Sequence, residues 1–377
     1  MSKSHLTQRL LVTTLAFAAV SSTASAATAL SSLSEGDLLI TEIMVNPSST
    51  DDARREWFEV YNATSATVDL SGLVLGGLTG ESYTVPSTLE VAAGDYALFA
   101  VKDNAATNGG LTGIDHVWTR ASNRFDNSTD MLSISYGSVT FDSFSWAKTG
   151  DFVPTEGYSL QLDPNRLSAR IHTTPDYWCE GMTSYGSGGT GTPGAANESC
   201  GISELTVSDL VAGDLVITEV MINPSTTDDA RREYFEVYNT TDSDINLNGL
   251  YLMDEGTDSV QITTDVIAYM NEVILLGPNN KAAVNGGLPS QDHTYVRTTF
   301  RFDNTADEIV LSTGTTEIDS VAWTTTIAPA EGYALSLDPD AFDATSNDDA
   351  ANWCAATSTY GGGDRGTPQD MNNDQCD

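Results

Sequence analysis

The sequence predicts an all-β protein built as two tandem β-sandwich domains. One module is written twice, each copy is a string of short apolar runs divided by Gly, Asn, Asp and Pro, and no long helical stripe appears beyond the N-terminus. With 377 residues, 40% of them hydrophobic, the chain has room for two ordinary domains and can fill their cores.

Residues 1–26 read as a secretory signal peptide. Lys3 and Arg9 precede the apolar run Leu10 to Val20, and Ala24-Ser25-Ala26 supplies a small-residue cleavage site. That run is too short for a membrane anchor, which needs about 20 residues. No membrane insertion is expected after its removal, and the expected location is secreted: extracellular, cell-surface or periplasmic.

The first copy occupies 27–200, a linker is expected at 201–212, and the second copy occupies 213–377. Residues 36–78 and 213–255 align without gaps at 27 identical positions of 43. The offset of 177 holds through Arg124-Phe125-Asp126-Asn127 and Arg301-Phe302-Asp303-Asn304, then drops to 175 by Glu156-Gly157-Tyr158 and Glu331-Gly332-Tyr333.

Within the first copy, Leu38 to Val45 is a β-rich run closed by Asn46-Pro47. Strict alternation places Leu38, Ile40 and Met44 on one face, with Leu39, Thr41, Ile43 and Val45 on the other. Glu56 to Asn62 follows, with Phe58 and Val60 facing one way and Trp57, Glu59 and Tyr61 the other. Leu70 to Leu75, Tyr83 to Val85 and Tyr96 to Val101 continue the pattern, and Gly137-Ser138 signals a hairpin between Met131–Tyr136 and Val139–Trp146.

The four cysteines, Cys179, Cys200, Cys354 and Cys376, lie 21 and 22 residues apart in equivalent places. In a secreted chain this repeat selects the pairs Cys179–Cys200 and Cys354–Cys376 among three connectivities. Trp178 and Trp353, directly before cysteines, are expected to pack on the disulfides.

Three features in order resemble the lamin-tail domain, in particular its secreted bacterial branch. They are Ile40-Thr41-Glu42-Ile43 leading to Asn46-Pro47; Glu56-Trp57-Phe58-Glu59-Val60-Tyr61-Asn62 with Asp69-Leu70-Ser71-Gly72-Leu73; and Gly191-Thr192-Pro193-Gly194-Ala195-Ala196-Asn197. The second copy matches at Ile217 to Pro224, Glu233 to Asn239 and Leu247 to Leu250. It departs where Gly366-Thr367-Pro368 runs into Gln369-Asp370-Met371, which leaves its last turn open. The resemblance implies immunoglobulin-like sandwiches. In the family, bacterial copies often accompany secreted hydrolases as non-catalytic attachment modules.

The search for chemistry returns few motifs. There is no HExxH, no GxSxG and no phosphate-cradling glycine loop. His116 and His293 are equivalent and follow Asp115 and Asp292, a pairing that suits either a metal ligand or a hydrogen-bonded loop; the remaining mature histidine is His172. The acidic loop Asp51-Asp52-Ala53-Arg54-Arg55-Glu56 recurs at 228–233. Asp51, Asp52, Asp126 and Asp130, with Asp228, Asp229, Asp303 and Asp307, are candidate Ca²⁺ ligands, because that ion collects hard oxygens. Asp–Arg pairing within the loop is the competing reading.

Glu42, Glu56 and Glu59, with Glu219, Glu233 and Glu236, interrupt apolar strands and need partners if buried. Arg54, Arg55 and Arg124 are candidates, with Arg124 and Arg301 preferred; a groove for a polar glycan built on Glu56, Glu59, Arg124, Glu233, Glu236 and Arg301 is the alternative. Trp57, Tyr61, Trp118 and Trp146, with Tyr234, Tyr238, Tyr295 and Trp323, would stack on sugars if exposed and close a core if not. The NxS/T sites at Asn62, Asn127, Asn197 and Asn239 read as turn asparagines.

The charge is −37, from 53 acids against 16 bases, and removal of residues 1–26 makes it −39. A polyanion is repelled by nucleic acid and by anionic membranes, and suits a saline medium that screens its self-repulsion. Two functions follow. One is a secreted, non-catalytic tandem protein that binds an extracellular protein or polysaccharide in adhesion or assembly. The other is a secreted, Ca²⁺-dependent hydrolase whose carboxylates are brought together by folding.

Overall fold

The structure, a computed structural model, describes residues 26–47, 52–168, 171–225, 231–254, 256–281 and 283–376. The expected signal peptide, apart from Ala26, lies outside them. The chain divides after Cys200 into two compact units.

The first unit runs β1 (Thr28–Ala29), β2 (Leu38–Met44), the single-turn α1 (Asp52–Arg55), β3 (Trp57–Asn62), β4 (Val68–Asp69), β5 (Val74–Gly77) and β6 (Ser82–Thr84). It continues with β7 (Glu90–Val91), β8 (Tyr96–Ala100), β9 (His116–Val117), β10 (Thr129–Tyr136), β11 (Val139–Ala147), β12 (Leu160–Leu162) and β13 (Trp178–Glu180). A six-stranded sheet, β13-β12-β2-β3-β8-β9, faces a four-stranded sheet, β11-β10-β5-β6, and a small sheet β1-β4-β7 closes one end. The second unit repeats all three sheets strand for strand. The expected hairpin is present, with Tyr136 paired to Val139 across Gly137-Ser138.

Each core lies between the two larger sheets. In the second unit it joins Ile217, Val220, Phe235 and Val237 of the long sheet to Leu252, Ile309, Leu311 and Trp323 of the other. All seven residues of β2, and of its counterpart Leu215–Met221, are buried. A strand in a two-layer sandwich normally shows water one face, so the long sheet is covered on both sides. On its outer side Met44, Trp57, Leu98, Ala100 and Leu111 form a second apolar cluster, against which Ile114 and Tyr185 pack.

Strict alternation along β2 fails at one residue. Ile40 pairs with Val60 but Glu42 with Glu59, so Thr41 is the extra residue of a bulge. Ile43 is thereby opposite Phe58, and Met44 is opposite Trp57 on the outer face rather than with Leu38 and Ile40. Thr218 makes the same bulge.

The expected linker at 201–212 is largely part of the second unit. Glu204–Thr206 is a strand in parallel pairing with Asp244–Asn246, and Val207 and Leu210 enter the core. The first unit does the same with β1 on β4 and with buried Leu30 and Leu33. The repeat is therefore longer than its identities, because apolar Leu30 and Leu33 match Val207 and Leu210 in character only.

Disulfides join Cys179 to Cys200 and Cys354 to Cys376. Trp178 does not pack as expected. Successive strand residues face opposite ways, and its ring lies 4.2 Å from that of Phe144, centroid to centroid, while Trp353 belongs to the second core. Asn62 is a structural plug. Its Nδ2 donates to the Ala66, Val91 and Ala92 carbonyls at 2.8–3.0 Å, and its Oδ1 accepts from the Thr64 N–H and hydroxyl. Asn62, Asn197 and Asn239 are all buried.

The last turn of the second copy keeps the geometry of the first. Gly194 has φ +78° and Gln369 has φ +68°, both in the left-handed region. Gln369 is compensated by its side chain, whose Nε2 donates to Ser290 O and Asp292 Oδ2. A Cβ at Gly194 would meet only Leu98, at an ordinary 3.8 Å. Gly194→Ala should therefore cost only the left-handed backbone penalty, about 1 kcal/mol in denaturant unfolding; a loss above about 3 kcal/mol would contradict this geometry.

Candidate functional site

The acids singled out in the sequence fall into three places. The first is the outer face of the long sheet, where the Thr41 bulge sets Glu42 opposite Glu59 with both carboxyls fully buried. Carboxyls removed from water need hydrogen-bond donors or a proton. The closing segment 191–197 supplies donors. The Thr192 N–H reaches Glu42 Oε1 and Oε2 at 3.0 and 3.1 Å, its hydroxyl lies 3.0 Å from Oε2, and Ser159 Oγ donates to Oε1. Glu59 accepts from Thr41 Oγ1 at 2.8 Å and the Gly194 N–H at 3.0 Å. Asn197 Nδ2 donates to Leu162 O and to the bulged Thr41 carbonyl, each at 2.8 Å. The segment is thus a strap across the sheet.

The second copy repeats the strap with Thr367 on Glu219, the Gln369 N–H on Glu236, and Asn372 on the Thr218 and Leu337 carbonyls. Tyr234 adds a hydroxyl to Glu219. Gly191 and Gly366 must lack side chains, since a Cβ at either would run into the glutamate carboxyl beneath it.

Burial pushes Glu42 and Glu219 up to about 7, against the donors that act the other way. Glu59 is held well above the ordinary range by burial first and by Glu42 second.

The second place is the residue just before β3. Glu56 is buried and paired bidentately with Arg120, with Nε to Oε2 at 2.9 Å and Nη2 to Oε1 at 2.7 Å. Glu233 and Arg297 repeat this pair at the same distances. The preferred Arg124 and Arg301 do not make these contacts: both are exposed, and Arg301 Nε lies 3.8 Å from Asp258 Oδ2. The turn is set by Trp118, buried 5.3 Å from Phe58, so the arginine two residues later meets Glu56. The equivalent triplets Trp118-Thr119-Arg120 and Tyr295-Val296-Arg297 carried that signal. Arg55 instead donates to the Ser187 carbonyl at 3.0 Å.

The third place holds the Ca²⁺ candidates. Asp51, Asp228 and Asp229 lie outside the described residues, and Asp52 begins α1. Asp126 Oδ1 accepts from the Ser128 N–H and hydroxyl, and Asp130 from the Asp126, Leu78 and Met131 N–H groups. These are turn-capping contacts. In the second copy Asp303 and Asp307 do converge, with Asp254, Asp258, Arg297 and Arg301, on a cleft of about 660 Å³. Among the described residues no group of three or more His, Cys, Asp or Glu is placed to hold a metal ion.

His116 lies 2.9 Å from Tyr83 Oη, and burial lowers its affinity for a proton, as it does for His293. Asp115 and Asp292 accept from the Leu98 and Leu275 N–H groups. His172, passed over in the sequence, forms a buried pair with Asp142, whose other oxygen takes the Ile40 N–H at 2.6 Å. In the second copy Asn347 replaces the histidine and donates to both oxygens of Asp319, at 2.9 and 2.8 Å. Burial raises Asp319 to about 7. The signal was an acid interrupting an apolar strand twice, in Phe141-Asp142 and Ile318-Asp319, with His172 at the shifted offset of 175 from Asn347.

Of the eight candidate sugar-stacking aromatics, six are buried, including Trp57, Trp118, Trp146 and Trp323; Tyr61 and Tyr238 alone are partly open.

Fold and site together define a tandem immunoglobulin-like sandwich protein whose singled-out glutamates serve its own architecture. The chain belongs to the lamin tail domain family, whose model matches residues 31–148 and 210–325. No curated protein matches the chain.

A carboxyl whose folded value is raised binds its proton more tightly in the folded state. Its contribution is full below about pH 4.5 and is lost as pH rises through about 7. Each of Glu42 and Glu219 is worth about 3 kcal/mol over that range. The melting temperature should therefore fall between pH 5 and pH 8, and the fall should shrink in Glu42→Gln/Glu219→Gln. A melting temperature that rises with pH over this window contradicts the assignment.

Proposed function

We propose that the protein is a non-catalytic extracellular binding protein that uses two like domains in series for adhesion or assembly. The observation that carries this reading is the duplication of a whole sandwich, each with its own core and disulfide. Two linked modules gain affinity for a repetitive surface through effective concentration, without any new contact. A disulfide in each unit, and no helix long and apolar enough to cross a membrane among the described residues, are compatible with an extracellular place. The net charge of −37 favours a neutral or basic extracellular protein or a polysaccharide over nucleic acid.

The hydrolase reading has one observation on its side, the acidic cleft of the second copy. Arg301 lies in that cleft 3.8 Å from Asp258, Arg297 is committed to Glu233, and among the described residues no group of three or more acids is placed to hold a metal ion.

The test is a binding screen of residues 27–200, residues 201–377 and both together against surface-immobilised polysaccharides and proteins in saline buffer. The tandem chain should bind its target at least ~10²-fold more tightly than either copy. Equal affinity for one copy and the pair sinks the bivalent role, and turnover of a target on adding Ca²⁺ replaces it with the hydrolase reading.

A further inference from the structure

A count of hydrogens beneath the straps leads beyond the binding role. Asn197 Nδ2 is committed to the Thr41 and Leu162 carbonyls, so Oδ1 is the atom turned toward Thr192. Thr192 Oγ1 then lies 3.0 Å from Asn197 Oδ1 and 3.0 Å from Glu42 Oε2. A hydroxyl has one hydrogen and can serve only one of these acceptors. With a carboxylate, the other contact would be two oxygen lone pairs pressed together in a buried site, which is unfavourable. A carboxylic acid removes the conflict, because it supplies the missing hydrogen.

The second copy presents the same count with different neighbours. Asn372 is oriented by the Thr218 and Leu337 carbonyls, and Thr367 Oγ1 lies 3.1 Å from Glu219 Oε2 and 3.2 Å from Asn372 Oδ1. We infer that Glu42 and Glu219 are held as carboxylic acids that donate through the strap threonine to the strap asparagine, and that loss of this proton unlatches the strap.

The surroundings favour the neutral form. Around Glu42 stand Ser159 just before β12, Glu59 on β3, Glu198 beyond the strap and Tyr185 from the covering loop, with Arg55 near Tyr185. Around Glu219 stand Tyr234, Glu236, Asp374 and Tyr360, with Arg232 near Tyr360. The charged groups that act directly on the two carboxyls are acids. Once the proton leaves, the hydroxyl must abandon one acceptor and a buried charge sits beside Glu59. In the first copy the strap lies over Trp57 and Leu98, so its release uncovers that part of the outer apolar cluster.

The test uses the full chain. Hydrogen exchange at the Thr192, Gly194 and Thr367 amides, corrected for intrinsic rates, should lose at least ~tenfold protection between pH 6 and pH 8.5. In Glu42→Gln/Glu219→Gln the amide Nε2 can donate in place of the acid, so protection should persist at both values. Infrared spectra of the wild type at pH 6 should contain a neutral-carboxylic-acid carbonyl band that diminishes in the variant. Wild-type protection that is constant or rises with pH overturns the proposal. Should the double variant fail to fold, carbon-13 NMR of the wild-type glutamate carboxyl carbons decides, because selective glutamate labelling leaves Asp319 silent: Glu42 and Glu219 signals that are protonated at pH 6 and titrate near pH 7 uphold the latch, and signals already ionised at pH 6 refute it.

Discussion

Each domain depends on keeping two adjacent glutamate carboxyls away from water on the outer face of its long sheet. Glu42 and Glu59, with Glu219 and Glu236, are opposite one another across a strand pair. Side by side as buried anions they would be costly, since like charges oppose each other and each loses its hydration. The strap meets this cost with backbone and hydroxyl donors. A proton on Glu42 and Glu219 supplies what the donors leave short. The strap in turn covers Trp57 and the apolar surface around it, so the chemistry of two side chains lets a sandwich bury its main sheet on both faces.

The bulge at Thr41 makes this arrangement geometrically available. One extra residue shifts the parity of β2, sends Ile43 inward and Met44 outward, and places Glu42 beside Glu59. It also frees the Thr41 carbonyl from the ladder, and Asn197 takes it up. The duplicate domain shows which parts of the device tolerate change. Thr, Pro and the final Asn recur, while Gly194 becomes Gln369, whose left-handed backbone is compensated by two side-chain hydrogen bonds. On the inner side, the Asp142–His172 pair becomes Asp319–Asn347. An imidazole is replaced by a side-chain amide at the same carboxyl position.

Much of the fold was legible in the sequence. Duplication, short β-rich runs, the Gly137-Ser138 hairpin and the cysteine spacing all have local physical causes. The parity switch did not show, because a bulge in an otherwise apolar run leaves the hydrophobic pattern unbroken: Leu38, Leu39, Ile40, Ile43, Met44 and Val45 suit either phase. The partner of Glu56 is not legible locally: Arg54, Arg55 and Arg124 are repeated and so is Arg120, which the local pattern does not single out, and the pairing rests on where Trp118 anchors its loop, a tertiary fact. The strap motif was visible as Gly-Thr-Pro followed by Asn, but its attachment to Glu42 spans 150 residues, beyond any local rule. The Ca²⁺ candidates illustrate the reverse problem, since aspartates that cap turns and aspartates that ligate ions look alike as letters.

For a protein of this charge, the strap glutamates separate internal architecture from ligand chemistry: like Glu56 and Glu233 they face no solvent, but no arginine pairs with them in the contacts that hold the strap. Carbon-13 NMR titration of the Glu42 and Glu219 carboxyl carbons measures their proton affinity directly. The account predicts midpoints near 7 for both, as their burial implies. Midpoints at the ordinary value of about 4.5 would mean that the straps are held by carboxylates, and would contradict it.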